Sequence, residues 1–401
     1  MNLGRIAYAY AKKSPLTTVL NLALLILGVA TVALLLLLTT ALDERLKRDA
    51  AGVDLVVGAK GSPLQLVLAG IFHVDVPPGN IPLAEVTRLR ANPLVRSVVP
   101  IAMGDSFRGY HIVGTELELL DIYGARLAQG RSWKAPMEAV LGAEVARRSG
   151  LSLSASFAGS HGLAEGGEVH ADEPYRVVGV LERSGNVADR MVLTGIDSVW
   201  KVHEHEAAEH AETPSDDRAR EVTMALVRYA TPLAAATLPR QINSETALQA
   251  ASPAYESARL LTVFGVGSDV IRAFAVFLMI AAGLGMFIAL YQAMDRRQYD
   301  LAVMRTLGAS RWRVCGVLLL ESTILAAAGA ALGIALGHAL LGLIGAWLPA
   351  AASLASDSMR FLPGEAGVVA LVLAGGILTA LLPAWRAYRL DVATTLAKSY
   401  P

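Results

Sequence analysis

Residues 294–320 read MDRRQYDLAVMRTLGASRWRVCGVLLL and lie between two long apolar runs of the chain. The first half is basic with helical spacing of its apolar residues, and 307–310 (Leu-Gly-Ala-Ser) then interrupts the helix. A soluble partner that pressed on such a segment would move the membrane helices on both sides of it. The pattern therefore favours a membrane subunit of an energy-driven machine over a soluble enzyme.

Four stretches of the 401-residue chain are long and apolar enough to cross a bilayer, which takes about 20 residues. They are Leu16–Leu42, Ala273–Met294, Val314–Leu348 and Ala366–Trp385, and Glu321 is the one Asp, Glu, Lys or Arg among them. A single such stretch could be a buried helix of a soluble core, but four stretches flanked by charge predict a membrane protein. The first exceeds the roughly 7–15 apolar residues of a cleaved signal peptide, so we expect a retained anchor.

The net charge of zero conceals an asymmetry along the chain. Residues 43–269 hold 22 Lys and Arg against 29 Asp and Glu, a balance of −7, and the remainder holds 13 against 6, a balance of +7. Because loops rich in Lys and Arg stay in the cytoplasm, we expect both termini and the 295–313 loop to be cytoplasmic. Residues 43–269 would then lie outside.

These features predict a membrane α-helical fold with four transmembrane helices and a large mixed α+β extracytoplasmic domain between the first and the second. The predicted segments are a cytoplasmic N-terminus (1–15), TM1 (16–42), an outer core domain (43–269), TM2 (270–294), a cytoplasmic coupling helix (295–313), TM3 (314–348), an outer loop (349–363), TM4 (364–386) and a cytoplasmic C-terminus (387–401). Within the outer domain, the residue patterns predict strands at 53–57, 176–181, 191–194 and 222–228 and helices at 83–91 and 141–149.

The sequence contains no motif of a self-contained ATPase or hydrolase. Neither G-x-x-x-x-G-K-[ST] nor G-x-S-x-G occurs in it. We therefore expect no catalytic residues and no directly bound cofactor, and any ATP that drives this protein would be hydrolysed on a separate subunit. A nucleic-acid partner is not expected. The lone cysteine, Cys315, leaves no disulfide to be formed within the chain.

Histidines concentrate in the outer segment, and three of them fall in His203-Glu-His205-Glu-Ala-Ala-Glu-His210. A zinc peptidase would need H-E-x-x-H, whereas the spacing of five places His205 and His210 roughly 140° apart on a helix. A looser zinc site in this acidic segment remains open, with His161 and His170 as further ligands. The alternative is a solvated acidic loop whose histidines bind nothing.

Two ionisable residues fall inside the predicted third span. Glu321 lies about 10 Å in from the predicted cytoplasmic edge, and such carboxylates usually face a partner or water. We expect it to pair with an Arg or to face a neighbouring helix. His338 lies deeper, and three neighbouring glycines (Gly333, Gly337 and Gly342) predict close helix packing around it.

The 295–313 segment carries the strongest functional signal. On a helical projection Tyr299, Val303 and Leu307 form an apolar edge. The charged residues Arg297, Asp300 and Arg305 lie elsewhere on the helix. Together with the apolar edge and Gly308 they form the candidate coupling set. The alternative is an interfacial helix on anionic lipid. That alternative leaves unexplained the helix stop at Gly308, which leads directly into a span.

The run Arg296–Ser310 followed by Glu321 resembles the signature of FtsX/MacB-like ABC transporter permeases of the mechanotransmission type (type VII). The ending 382–391, LPAWRAYRLD, is similar to that family as well. The outer segment resembles the MacB-type periplasmic core domain at 140–146 (VLGAEVA), 175–181 (YRVVGVL) and 189–193 (DRMVL). Residues 53–82 also resemble a subgroup of permeases found near zinc-responsive genes.

The resemblance implies an inner-membrane permease that forms a homodimer and pairs with two copies of a separate ABC ATPase. The 295–308 helix would rest on the ATPase, and ATP-driven closure would move the periplasmic domains for export or for handling a periplasmic protein or lipoprotein. Zinc homeostasis is a further setting, and membrane lipid surrounds the spans. From a different class, a membrane-anchored regulator or scaffold of a periplasmic partner, without transport, remains open.

Overall fold

A computed structural model describes residues 15–162, 172–202, 220–347, 358–389 and 391–392. The chain divides into two compact units. We call Glu44–Thr262 the inserted domain, and Met1–Asp43 together with Val263–Pro401 the membrane unit. The α-helices whose bounds are fully described are, in chain order, α1 (Pro15–Asp49), α2 (Pro63–Val67), α3 (Leu83–Arg90), α4 (Glu118–Ile122), α5 (Ala143–Ser149), α6 (Pro232–Glu245), α7 (Pro253–Thr306), α8 (Arg311–Trp347) and α9 (Pro363–Tyr388).

Thirteen strands are described in the inserted domain. They are β1 (Leu55–Ala59), β2 (Ile81–Pro82), β3 (Val95–Phe107), β4 (Tyr110–Thr115), β5 (Leu127–Gly130), β6 (Glu138–Leu141), β7 (Ser156–Phe157), β8 (Ser160–His161), β9 (Tyr175–Leu181), β10 (Val192–Gly195), β11 (Glu221–Val222), β12 (Met224–Tyr229) and β13 (Leu248–Ala251). Eleven form one mixed sheet in the order β13-β1-β12-β3-β4-β10-β6-β9-β5, with β7 paired to β9 and β8 to β3; β2 pairs with β11. Within the large sheet, β10 runs parallel to β4 and β9 runs parallel to β6.

Alternating residues of β1 bury opposite faces of the sheet. Val56 joins a cluster with Ile101 and Leu226, whereas Leu55 and Val57 join a second cluster that includes helix residues of α3 and α6. This two-residue period is the one expected of a strand covered on both sides. The β-branched residues that predicted the strand therefore also supply its core.

The predicted layout is confirmed: a helix long enough to span a membrane precedes a mixed α/β domain, and three such helices follow it. Within the domain, strands and helices form near the predicted positions. The predicted strand at 53–57 forms at Leu55–Ala59, and the predicted helix at 83–91 forms at Leu83–Arg90. The segment 295–306 is the final part of α7 rather than a separate helix, because no helix-breaking residue stands between it and the preceding apolar run.

Glycines on one side of α8 bring it close to α1. A Cβ on Gly333 would lie 2.6 Å from the Cβ of Val29, and one on Gly329 would lie 2.5 Å from a methyl of Leu25. A Cβ on Gly337 would lie 3.0 Å from the Cβ of Ala33. The spacing of four residues places these glycines along one ridge, which is the small-residue pattern of tightly packed membrane helices.

The same device brings α8 against α9. A Cβ on Gly376 would lie 2.6 Å from the Cβ of Ala326, and the Ser322 hydroxyl donates a hydrogen bond to the carbonyl oxygen of Gly376. An interhelical hydrogen bond satisfies a hydroxyl that would be costly to leave unpaired in hydrocarbon. α8 therefore packs through small residues against both α1 and α9.

Candidate functional site

The turn between α7 and α8 begins with a closed helix C-terminus. Gly308 has φ 95°, in the left-handed region that favours glycine. Its N–H donates to the carbonyl oxygen of Arg305 at 3.1 Å, and the N–H of Ala309 donates to that of Met304 at 3.0 Å. These two bonds form a Schellman motif. The interruption seen in the sequence is therefore a defined, hydrogen-bonded helix stop.

The next helix, α8, begins at Arg311. The backbone N–H of Arg313 donates to Ser310 Oγ at 3.3 Å, so Ser310 caps the first turn of α8. The chain thus ends α7 and starts α8 within four residues, 307–310, each end having its own cap. We call this turn together with the adjoining helix ends, residues 299–313, the coupling corner.

One face of the corner packs inside the membrane unit. Leu301 on α7 is buried with Val314 and Leu318 at the start of α8 and with Ala384 and Ala387 near the end of α9. The α7 side of the corner therefore packs on the start of α8 and on the end of α9. A displacement of the corner would act on α8 and α9 as well as on α7.

The opposite face exposes large apolar side chains. Leu307 is 80% exposed, Trp312 74% and Tyr299 53%, while Val303 is half-buried beside them. Of the charged candidates, Asp300 is exposed and Arg305 is half-buried; the side chain of Arg297 lies outside the described residues. Exposed apolar groups on this scale mark an interaction surface with protein or membrane. We call Tyr299, Leu307 and Trp312 the corner surface.

Arginines stack on aromatic rings around the corner. The guanidinium of Arg386 lies 4.5 Å from the ring centroid of Tyr291, and that of Arg311 lies 5.8 Å from the ring of Tyr388. The rings of Trp312 and Tyr388 are 5.2 Å apart. Cation–π contacts of this kind contribute about 0.5–2 kcal/mol each, depending on exposure. They link the end of α9 to both helices of the corner.

Glu321 lies inside the helix bundle of the membrane unit. It is only 6% exposed, and it lines a cavity of about 320 Å³ to which α1, α7, α8 and α9 all contribute. The other polar residues of the lining are Thr18, Asn21 and Thr379. Sequence reasoning singled out Glu321 for its charge but not these three, because uncharged polar residues are common in membrane helices.

His338 contacts a carboxylate that sequence reasoning missed. Its Nε2 lies 2.9 Å from Oε2 of Glu365, and its Nδ1 lies 2.6 Å from the carbonyl oxygen of Ser358. Glu365 Oε1 also accepts from the backbone N–H of Leu362 at 3.2 Å. The signal for Glu365 is its place in Pro363-Gly-Glu365, since Glu at the third position of a helix commonly caps the helix start.

Of the five predicted zinc ligands, the structure describes His161 alone. His203, His205, His210 and His170 lie outside the described residues. His161 is described, and its Nδ1 lies 3.4 Å from Oδ1 of the buried Asp105. Among the described parts of the chain, no three His, Cys, Asp or Glu side chains are grouped so as to hold a metal ion.

Two protein families match the chain. The MacB-like periplasmic core domain family matches residues 18–244, and the FtsX-like permease C-terminal family matches residues 272–392. Together these matches include nearly all of α1 and of the inserted domain, and all of the coupling corner. Comparison with curated proteins finds no significant match.

Solved structures of outer domains are also similar to the chain. The periplasmic region of MacB from Actinobacillus actinomycetemcomitans is 14% identical, with a TM-score of 0.33 over 52% of this chain and 94% of that one. The extracellular domain of the noncanonic ABC-type transporter YknZ from Gram-positive bacteria is 13% identical, with a TM-score of 0.30 over 49% of this chain and 98% of that one.

Proposed function

Since this chain belongs to the FtsX/MacB-like family of ABC transporter permeases, which are multi-pass membrane subunits, we propose that it couples ATP hydrolysis on a separate ATPase subunit to movement of its inserted domain. The coupling corner would rest on the ATPase. The observation that carries this proposal is the exposed corner surface on a turn that is capped at both ends and packed on its other face.

Stiffness at the corner supports this role. A push on Leu307 would be lost if the turn simply bent, but the Schellman motif and the Ser310 cap fix its backbone. Within the membrane unit α7 runs without interruption from Val263 to Thr306, and these 44 residues at 1.5 Å each span about 66 Å. A rigid element of this length suits mechanical transmission.

The chemistry of the corner surface fits a protein partner. Two of the three large apolar side chains, Leu307 and Trp312, have arginines close to them in sequence, at positions 305, 311 and 313. An apolar centre with a charged rim is the usual composition of a protein interface. The charge bias of the sequence favours a cytoplasmic position for this corner, where an ATPase would be available.

We infer further that the complex contains two permease chains and two ATPase subunits in the bacterial inner membrane. Its cargo would be handled outside the membrane by the inserted domain, either in export or in the transfer of a periplasmic protein or lipoprotein. An uncoupled anchor or scaffold would need neither the corner surface nor an ATPase.

The test is a single substitution on the corner surface. Leu307→Asp puts a charge into the proposed apolar contact, so we expect loss of ATPase co-purification or at least a tenfold fall in permease-dependent ATP hydrolysis. Leu233→Asp, which changes a similarly exposed leucine of the inserted domain, serves as the matched control and should leave both unchanged. Unaltered association and turnover in the Leu307 variant would contradict the proposal.

A further inference from the structure

The cavity beside Glu321 has a polar end and an apolar end. Thr18 and Asn21 lie within the first seven residues of α1, and Thr379 lies nine residues before the end of α9. Glu321 is ten residues into α8, or about 15 Å from its start. All four therefore lie toward the end of the bundle that carries the coupling corner.

The other end of the cavity is apolar. Leu371 and Val372 on α9 lie there, eight and seven residues farther from the corner than Thr379 on the same helix. Val276 and Met279 on α7 lie seven and four residues farther from the corner than Gly283, where a Cβ would contact Thr379. The volume of about 320 Å³ falls at the lower end of the range of drug-sized ligand sites. Because its lining extends over several helical turns and is polar at one end only, the cavity can orient an amphiphilic ligand.

The rim of the cavity faces outward from the bundle. Three lining residues, Ile280, Leu371 and Leu378, are exposed on the outer surfaces of α7 and α9. In a bilayer those surfaces contact lipid, since both helices are apolar enough to span it. A ligand would reach the cavity sideways from the membrane rather than from water.

We propose that this cavity binds a lipophilic cation, a ligand with one protonated amine at its polar end and an apolar body. The carboxylate of Glu321 is buried where the dielectric constant is low, so a positive charge beside it interacts far more strongly than it would in water. A hydroxyl and an amide nearby can accept or donate the remaining hydrogen bonds. The apolar walls contact the rest of the ligand in place of lipid and discriminate little between ligand shapes.

The experiment compares two probes of equal length on the full chain in detergent, with binding read by native mass spectrometry. Dodecylamine carries the cation and dodecanol does not. We expect the amine to bind about tenfold more tightly, the increment of one charge-assisted hydrogen bond. No ATPase is needed, so the outcome is independent of the proposed function.

Two substitutions distinguish the effect of the Glu321 charge from the effect of the cavity volume. Glu321→Gln keeps the shape and should abolish the preference for the amine. Gly283→Leu should weaken both probes, because a Cβ there meets only a Thr379 methyl at 3.5 Å and the longer side chain extends into the cavity. Gly367→Leu, at a helix position where a Cβ would meet nothing within 4 Å and which does not line the cavity, is the matched control and should change neither. Equal binding of both probes, no binding, or a preference that survives Glu321→Gln would overturn the proposal.

Discussion

The Nε2 of His338 lies 2.9 Å from Oε2 of Glu365, which joins α8 to the first turn of α9. Because Nδ1 faces a carbonyl oxygen, it must carry a proton, and one further proton lies between Nε2 and the carboxylate. Glu365 is fully buried, so this pair must satisfy its charge within the protein.

Removing the carboxylate should therefore be costly. We expect Glu365→Ala to lower the free energy of unfolding by about 3 kcal/mol, since it leaves His338 and the Leu362 N–H without their acceptor. Glu365→Gln keeps one acceptor and should lose less than half as much. Unfolding by denaturant in detergent micelles measures both, and equal losses for Ala and Gln would show that the contact contributes little.

The packing of α8 on α1 can be tested with two glycine-to-alanine substitutions on α8, one at the contact and one away from it. Gly333→Ala places a Cβ 2.6 Å from Val29 and should destabilise the protein by about 1–3 kcal/mol. Gly316→Ala makes the same change on the same helix where nothing lies within 4 Å, and better helix propensity should stabilise it by up to about 1 kcal/mol. Thermal unfolding of the two variants side by side decides the matter; the same sign for both would mean that α1 and α8 do not pack this closely.

Acid should weaken the inserted domain through His73. Burial, with His111 and Arg190 nearby, lowers the pKa of His73 from its usual 6.5 to about 3. The unfolded chain therefore binds more protons between those values, so stability is complete above about pH 6.5 and falls as the pH drops toward 3. The slope is about 1.4 kcal/mol per pH unit.

The substitution His73→Asn removes the titrating group and suits the positive φ of 51° at this position. Denaturation midpoints at pH 5, 6 and 7 should then vary less than in the unaltered protein. His161→Asn changes a more exposed imidazole and is the control. An unchanged pH profile in the His73 variant would assign the acid sensitivity to other groups.

The sequence of the acidic segment 203–210, with its three histidines, predicts modest zinc binding that disappears below about pH 6, where imidazoles protonate. Calorimetry on the untagged full chain, compared with a His203/His205/His210→Ala triple variant, measures it. If both titrate zinc alike, or neither does, the segment is a solvated acidic loop.

Orientation is tested by cysteine labelling in spheroplasts, in a Cys315→Ser background. The charge bias predicts that an impermeant maleimide reaches Ser215→Cys but not Ser310→Cys. The reverse pattern would also remove the ATPase from the side of the membrane on which the coupling corner lies.

The spans and many local elements could be predicted because their causes are local. Apolar runs such as Leu16–Leu42 need only length and the absence of charge, and a strand such as Tyr175–Leu181 needs only β-branched residues in sequence. Sheet order could not be predicted, because β1 pairs with β12, about 170 residues away, and each strand's pattern is compatible with many partners.

The residues of the candidate site likewise comprise some that the sequence reveals and one that it does not. Glu321 stands out in the sequence since a carboxylate in a span is rare, and Gly308 stands out as a helix stop. Glu365 lies just outside a charge-free stretch and looks like an ordinary flank. Only its packing against His338, 27 residues earlier, reveals it as a buried partner.

The unbroken course of α7 has a consequence for how this protein can vary. Tyr299 of the corner surface and Met279 of the cavity lie on the same helix, 20 residues apart, so their angular relation is set by residue count alone. One inserted residue between them would rotate one face against the other by about 100°. The spacing between these two positions is therefore expected to tolerate substitutions but not single insertions or deletions.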